Sequence, residues 1–232
     1  GHLVLLAKNE QGYHNLLKIV SDAFTEGFYN KPRTDFSVLE RYHEGLICLS
    51  ACLFGDIPKL LLDRRENDAR AMAQRYLDIF GEGNFFLEMQ DHGIDEQTPV
   101  NQGLQRIARE TGLPLVITND AHYLRREDAE MQDVLLCVQT GKTVDEEHRM
   151  RMEPYGEYYL KSEAELLERF PGQQQALDNT AAIAERCNVE FIFNQYHLPS
   201  FPVPDGFTSE SYFRKLCYDG FAERYPQAPE SY

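Results

Sequence analysis

The chain has 232 residues, 42% of them hydrophobic and 26% charged, with a formal net charge of −15. That length holds one large domain or one domain with an appendage, and no apolar run approaches the roughly 20 residues that a membrane-spanning helix needs. The acidity argues against unaided gripping of a nucleic-acid backbone, which takes Lys and Arg to neutralise phosphates. It leaves room for a metal-centred site, because bound cations invert the local field. The five cysteines are scattered without a C-x-x-C pair, which fits a reducing cytoplasm better than a disulfide framework. The first residues form neither a signal nor a transit peptide, so the expected setting is cytoplasmic and away from membranes.

In chain order, His2–Ala7 reads as a strand that begins within one residue of the first, and further sequence upstream is expected. Asn9 opens a helix over about 10–27 with Leu16, Leu17, Ile19, Val20, Ala23 and Phe24 as its apolar stripe and Gly27 as its stop. A short capped helix follows at Thr34–Glu40. Gly45–Ser50 is the second strand, turning through Ala51–Asp56 into a helix with Pro58 near its first turn. A helix over about 66–80 stops at Gly81, Phe85–Met89 is the third strand, and a helix over about 97–111 leads to the apolar run Leu113–Ile117, the fourth strand. Arg126–Thr140 is helical, with Met131, Val134, Leu135 and Val138 as the expected inner face. Strand and helix alternate throughout, which predicts parallel strands with right-handed crossovers. From about 150 the character changes: Ser162 and Glu165 are spaced as a capping box, helices are expected at about 173–187 and 208–224, and the proline-studded Leu198–Gly206 links them. A polar tail with two more prolines closes the chain.

Polar residues gather where the strands end. Asp120 and His122 are two apart in extended chain and leave the buried strand on one side; both are ligand types for divalent metals. Asp120 as a helix cap and His122 in local packing is the bland alternative. Cys52 follows a strand in a turn and reads as core or as a thiolate ligand; His2, taken alone, is a structural residue. Glu88, Asp91 and His92 sit at another strand end, where such groups bind metal, cap the next helix or hold metal ligands in place through hydrogen bonds, the last being the preferred reading. Gly141-Lys142-Thr143 is no phosphate loop, because the upstream glycine position is Leu136 and the segment follows a helix. Clustering at strand ends favours a (β/α) barrel with a site on its rim over an open sheet, although four strands are too few to close one.

Six blocks in order carry a resemblance: His2–Asn9 with Gly12-Tyr13 and Asn15-Leu16; Leu49–Leu53 with Gly55; Glu88–Gly93; Gly112–Leu124; Val138–Thr143; and Leu198–Gly206. Together they resemble the PHP (polymerase and histidinol phosphatase) domain of the bacterial C-family replicative DNA polymerases, over essentially the whole chain. The resemblance implies an α/β fold, a partial distorted (β/α)7 TIM-like barrel over residues 1–150 that lacks its N-terminal strands. A mostly helical extension over 151–232, with its proline-rich connector, would lead toward the polymerase palm. It implies metal ligands at His2, Cys52, Asp120 and His122, with Asp120 and His122 as catalytic residues, and further ligands, including a His-x-His pair, upstream of Gly1. It implies zinc or manganese in the intact domain and magnesium in the parent polymerase. The implied activity is DNA-directed DNA polymerisation by the parent, with metal-dependent 3′–5′ exonuclease or phosphoesterase chemistry in this domain. The implied partners are DNA and other replicase subunits, reached through the full-length polymerase, since the acidic chain alone is not expected to bind DNA tightly. A non-catalytic scaffold of the polymerase and a free-standing phosphoesterase of the same superfamily are the competing readings.

Overall fold

A computed structural model describes residues 1–196 and 198–227. The last five residues of the expected polar tail lie outside the described part. Four strands form one sheet in the order β1-β2-β3-β4: β1 Val4–Ala7, β2 Leu46–Leu49, β3 Phe85–Met89 and β4 Leu115–Ile117. Every residue of β2 and β3 is buried, as expected of strands covered on both faces. β2–β3 and β3–β4 are parallel, with Leu49 opposite Phe86 and Glu88 opposite Val116. β1 departs from the all-parallel expectation: it runs antiparallel to β2, from Val4 opposite Leu49 to Ala7 opposite Leu46. The connection between them holds two helices, α1 Glu10–Thr25 and α2 Phe36–Tyr42, and is long enough to return the chain in either direction. One result is that the start of β1 lies beside the end of β2, where His2 bridges Gly55 and its N–H donates to Phe54 O at 2.9 Å.

Alternation along the strands builds two apolar layers. Phe85, Leu87 and Met89 enter the larger one with Leu46, Cys48 and Ile117. It is closed by residues of α1, α2 and the helices α3 Asp56–Leu62, α4 Glu66–Phe80 and α5 Gln97–Thr111. Ile47, Leu49, Phe86 and Val116 form the smaller layer with Ile183. Asn9 caps α1 as its sequence suggests, its Oδ1 accepting from Gly12 N at 2.9 Å. The stripe expected on α1 is split, though: Ile19 and Ala23 are buried while Leu17, Val20 and Phe24 are exposed.

A 3-10 turn, Arg126–Asp128, leads into α6 Ala129–Thr140. Its expected inner face is a correction: Met131, Val134, Leu135 and Val138 are exposed, and Ala129, Leu136 and Cys137 are buried. The reason is the returning segment 149–156. Arg149 grips Asp133 through both guanidinium nitrogens at 2.6 Å, and Met152, Tyr155 and Gly156 line a small cavity with Ala129 and Leu136. α7 Glu163–Arg169 starts with the reciprocal Ser162–Glu165 capping box. α8 Gln174–Arg186 lies on β4, where Asn179 Nδ2 donates to Leu115 O at 2.7 Å, so a side chain serves the outer edge of the sheet. The first compact unit therefore runs from Gly1 to Glu190, past the boundary expected near 150, and the second begins at Phe191. The second unit contains the connector, without regular structure at 198–204, and α9 Ser209–Arg224, capped by Thr208. Among the described residues the architecture is thus mixed α/β, one four-stranded sheet with nine helices. No helix among them is long and apolar enough to cross a membrane.

Candidate metal centre

Each of the four residues expected as ligands sits at the same end of the sheet, the C-terminal end of β2, β3 and β4. The antiparallel β1 brings His2 there, with its Nδ1 3.6 Å from Cys52 Sγ. Asp120 and His122 follow β4, with Oδ1 and Nε2 also 3.6 Å apart. The backbone bends sharply at both places. Ala51, just before Cys52, has φ +63 and Asp120 has φ +44, a left-handed conformation that costs a non-glycine residue energy and persists where the surroundings enforce it. His122 N donates to Tyr158 O at 2.8 Å, and its ring stands edge-on to Tyr158, 5.6 Å between centroids. The structure pairs His2 with Cys52 and Asp120 with His122. Among the described residues no three His, Cys, Asp or Glu side chains form one ligand group.

The pair geometry fits a transition-metal ion. With a metal–sulfur distance of about 2.3 Å and a metal–nitrogen distance of about 2.0 Å at a tetrahedral angle, two ligands of one ion stand about 3.5 Å apart. His2–Cys52, at 3.6 Å, lies close to that separation. Asp120–His122 matches the slightly shorter oxygen–nitrogen value to within a few tenths of an ångström. Thiolate, imidazole and carboxylate together suit zinc or a neighbouring first-row ion.

Behind these turns lies a layer of buried polar side chains. Glu88 is 4% exposed. Its Oε2 accepts from Ala51 N at 3.0 Å, and its Oε1 accepts from the Thr118 hydroxyl at 2.5 Å and from Gln90 Nε2 at 2.8 Å. Burial pushes the Glu88 carboxyl above the usual range, opposed by those three hydrogen bonds. His92 is stacked on Tyr158 at 4.4 Å. Gln97 Nε2 lies 2.9 Å from its Nδ1, and Asn119 O lies 2.9 Å from its Nε2. An amide nitrogen only donates and a carbonyl only accepts, so the proton is on Nε2. Burial pulls the His92 pKa down and keeps the ring neutral. Asp91 serves its own turn, accepting from Gly93 N at 2.8 Å, and pairs with Arg169 at 3.3 Å.

A third group gave no sequence signal. Glu157 is held by Arg126 at 2.6 Å and Arg169 at 2.5 Å, and the buried Lys161 donates to its backbone oxygen. Burial lowers the Lys161 pKa. Arg126 lies just after His122, but Glu157, Lys161 and Arg169 come 35 or more positions later in the chain, and no spacing rule links them to the strand ends. A cleft of about 460 Å³ opens beside Asn119 and Lys161, between the end of β4 and α8.

Residues 1–92 match the PHP domain family. His2 and Cys52 fall within the matched part. Over almost its full length the chain is similar to DNA polymerase III subunit alpha. It is 44% identical over 99% of its residues to that protein of Treponema pallidum, 45% over 97% to that of Borreliella burgdorferi, and 43% over 97% to that of Thermus aquaticus. The chain spans about a fifth of the length of these curated relatives.

Proposed function

We propose that the chain works as a segment of a DNA polymerase III alpha subunit, a DNA-directed DNA polymerase, and that its strand-end residues belong to a metal-dependent phosphoesterase centre acting as a 3′–5′ exonuclease. The observation that carries this reading is the presence of two ligand pairs, His2–Cys52 and Asp120–His122, at one end of one sheet with the separations of ligands on a common ion. His2, Cys52, Asp120 and His122 would hold the metal, zinc or manganese, which when bound would polarise the phosphodiester and activate water. The chain's own contribution is orientation: Tyr158 fixes His122 through its carbonyl and its ring face, and neutral His92 fixes the carbonyl that precedes Asp120.

A partial (β/α)7 barrel over 1–150 accounts for the parallel β2–β4, and the outer edge of β4, served by Asn179 rather than by a strand, is where such a barrel would continue. DNA, magnesium for polymerisation and other replicase subunits are expected partners of the full-length polypeptide in the cytoplasm. With a net charge of −15, this segment alone should add little to DNA affinity. One observation favours a second role as scaffold, namely the exposed apolar face of α6 at Met131, Val134, Leu135 and Val138, suited to covering by other parts of the polymerase. Metal analysis of the full-length polypeptide tests the first reading. Bound zinc or manganese that falls on Asp120→Ala supports it, and a metal-free parent overturns it in favour of the scaffold.

A further inference from the structure

We propose that Glu88 is the positioning residue of this centre, its one carboxylate tying together the two strained turns that carry Cys52 and Asp120. The inference rests on the metal-centre reading above. Glu88 is central in position: it lies on β3, between β2 and β4, on the face shared with Phe86. One of its oxygens accepts from the N–H of Ala51, the left-handed residue next to Cys52. The other accepts from the hydroxyl of Thr118, two residues before the left-handed Asp120. On the β2 side a second bond closes the ring, since Glu88 N donates to Ser50 Oγ at 2.8 Å.

The chemistry needs a carboxylate. Two donors approach from opposite neighbouring strands and each takes its own acceptor oxygen. An amide of the same shape has one accepting oxygen, so with Ala51 N–H held it turns an N–H group toward the β4 side. There it opposes Gln90 Nε2 donor to donor, and the Thr118 hydroxyl must reverse to accept. The surroundings are built around this demand. Gln90 Nε2 turns toward Glu88 Oε1 and Thr118 Oγ1, at 2.8 and 3.3 Å, which leaves Gln90 Oε1 buried without a hydrogen-bond partner. Buried acceptors are seldom left empty unless another contact governs the side chain. A non-glycine residue with positive φ persists only where it is over-determined, and Glu88 supplies that constraint at Ala51 directly and next to Asp120 through Thr118.

Cobalt binding by the full-length polypeptide, stripped of metal, tests this. Co2+ is followed by equilibrium dialysis and by the thiolate-to-cobalt absorption band, which Cys52→Ser should abolish. Glu88→Gln should weaken Co2+ binding by about 10- to 100-fold, the usual loss when a group that orients a metal ligand is removed, and should reduce the thiolate band while the far-ultraviolet circular dichroism stays parental. Thr118→Ser, which keeps the hydroxyl, should bind as the parent does, and Thr118→Val should fall between. Parental affinity with an unchanged band in a folded Glu88→Gln protein overturns the role of Glu88 alone. A parent that binds no Co2+, or a band that survives Cys52→Ser, overturns the centre itself.

Discussion

Thr118→Val should destabilise the fold by an amount that depends on pH, and the direction follows from Glu88. The substitution removes the hydroxyl that donates to Glu88 Oε1 at 2.5 Å and accepts from Gln90 at 3.3 Å, with little change of shape. A hydrogen bond to a charged group contributes about 1.5–3 kcal/mol, and one between neutral groups about 0.5–1.5 kcal/mol. Burial raises the Glu88 pKa above its ordinary 4.5, so the folded state holds the proton more tightly than the unfolded chain does. Stability from this group is therefore fully present below the unfolded pKa and is lost as pH rises through the raised folded pKa. The Thr118 hydroxyl lowers that folded pKa, so its removal lifts it further and deepens the loss at higher pH. Urea unfolding of parent and variant, followed by far-ultraviolet circular dichroism, should give a difference of about 1.5–3 kcal/mol at neutral pH, shrinking toward about 1 kcal/mol in mild acid. A difference that stays constant with pH, or grows in acid, would refute the argument that an ionised Glu88 is what Thr118 holds.

Two further outcomes are expected. The 232-residue chain alone should retain less than one equivalent of metal after dialysis, because its ligands come as two pairs with no group of three among the described residues; two or three tightly held equivalents of zinc by elemental analysis would contradict this. Buried His92 has a lowered pKa, so its contribution is complete above its ordinary 6.5 and is lost as pH falls through the depressed folded value. His92→Phe should accordingly flatten the acid side of the stability profile below pH 6.5, and urea midpoints that fall with the parental slope would sink that assignment.

Much of the element order was legible in the sequence. Leu115–Ile117 is recognisable because a short apolar run between Gly112 and polar residues has few other solutions, and the Ser162–Glu165 box marks the start of α7 by spacing alone. The direction of β1 was not legible. A four-residue strand has the same alternation whichever way it runs, and the α1–α2 connection is long enough for either. That reversal matters to the site, since it is what sets His2 beside Cys52. The inner face of α6 misled because apolar residues surround most of this helix. The larger stripe is Met131, Val134, Leu135 and Val138, whereas the covered side is chosen by Arg149 and Met152, which are distant in sequence. At the site, strand-end position and residue type pointed to Glu88 and His92 as orienting groups. The partners that give those roles content, Ala51 N–H, Thr118, Asn119 O and Gln97, follow from the register of neighbouring strands, which local pattern does not encode.

The central claim is a metal-dependent nuclease centre separate from polymerisation, and His122→Ala in the full-length polypeptide tests it most directly. The substitution deletes one member of the Asp120–His122 pair, on a half-exposed side chain whose loss should leave the fold intact; thermal melting of the variant controls for that. Degradation of a DNA 3′ end and single-turnover nucleotide incorporation are then measured on the same preparation. The account predicts that degradation is lost while incorporation proceeds at the parental rate. Degradation at the parental rate by a folded variant would contradict it and leave the domain as a scaffold.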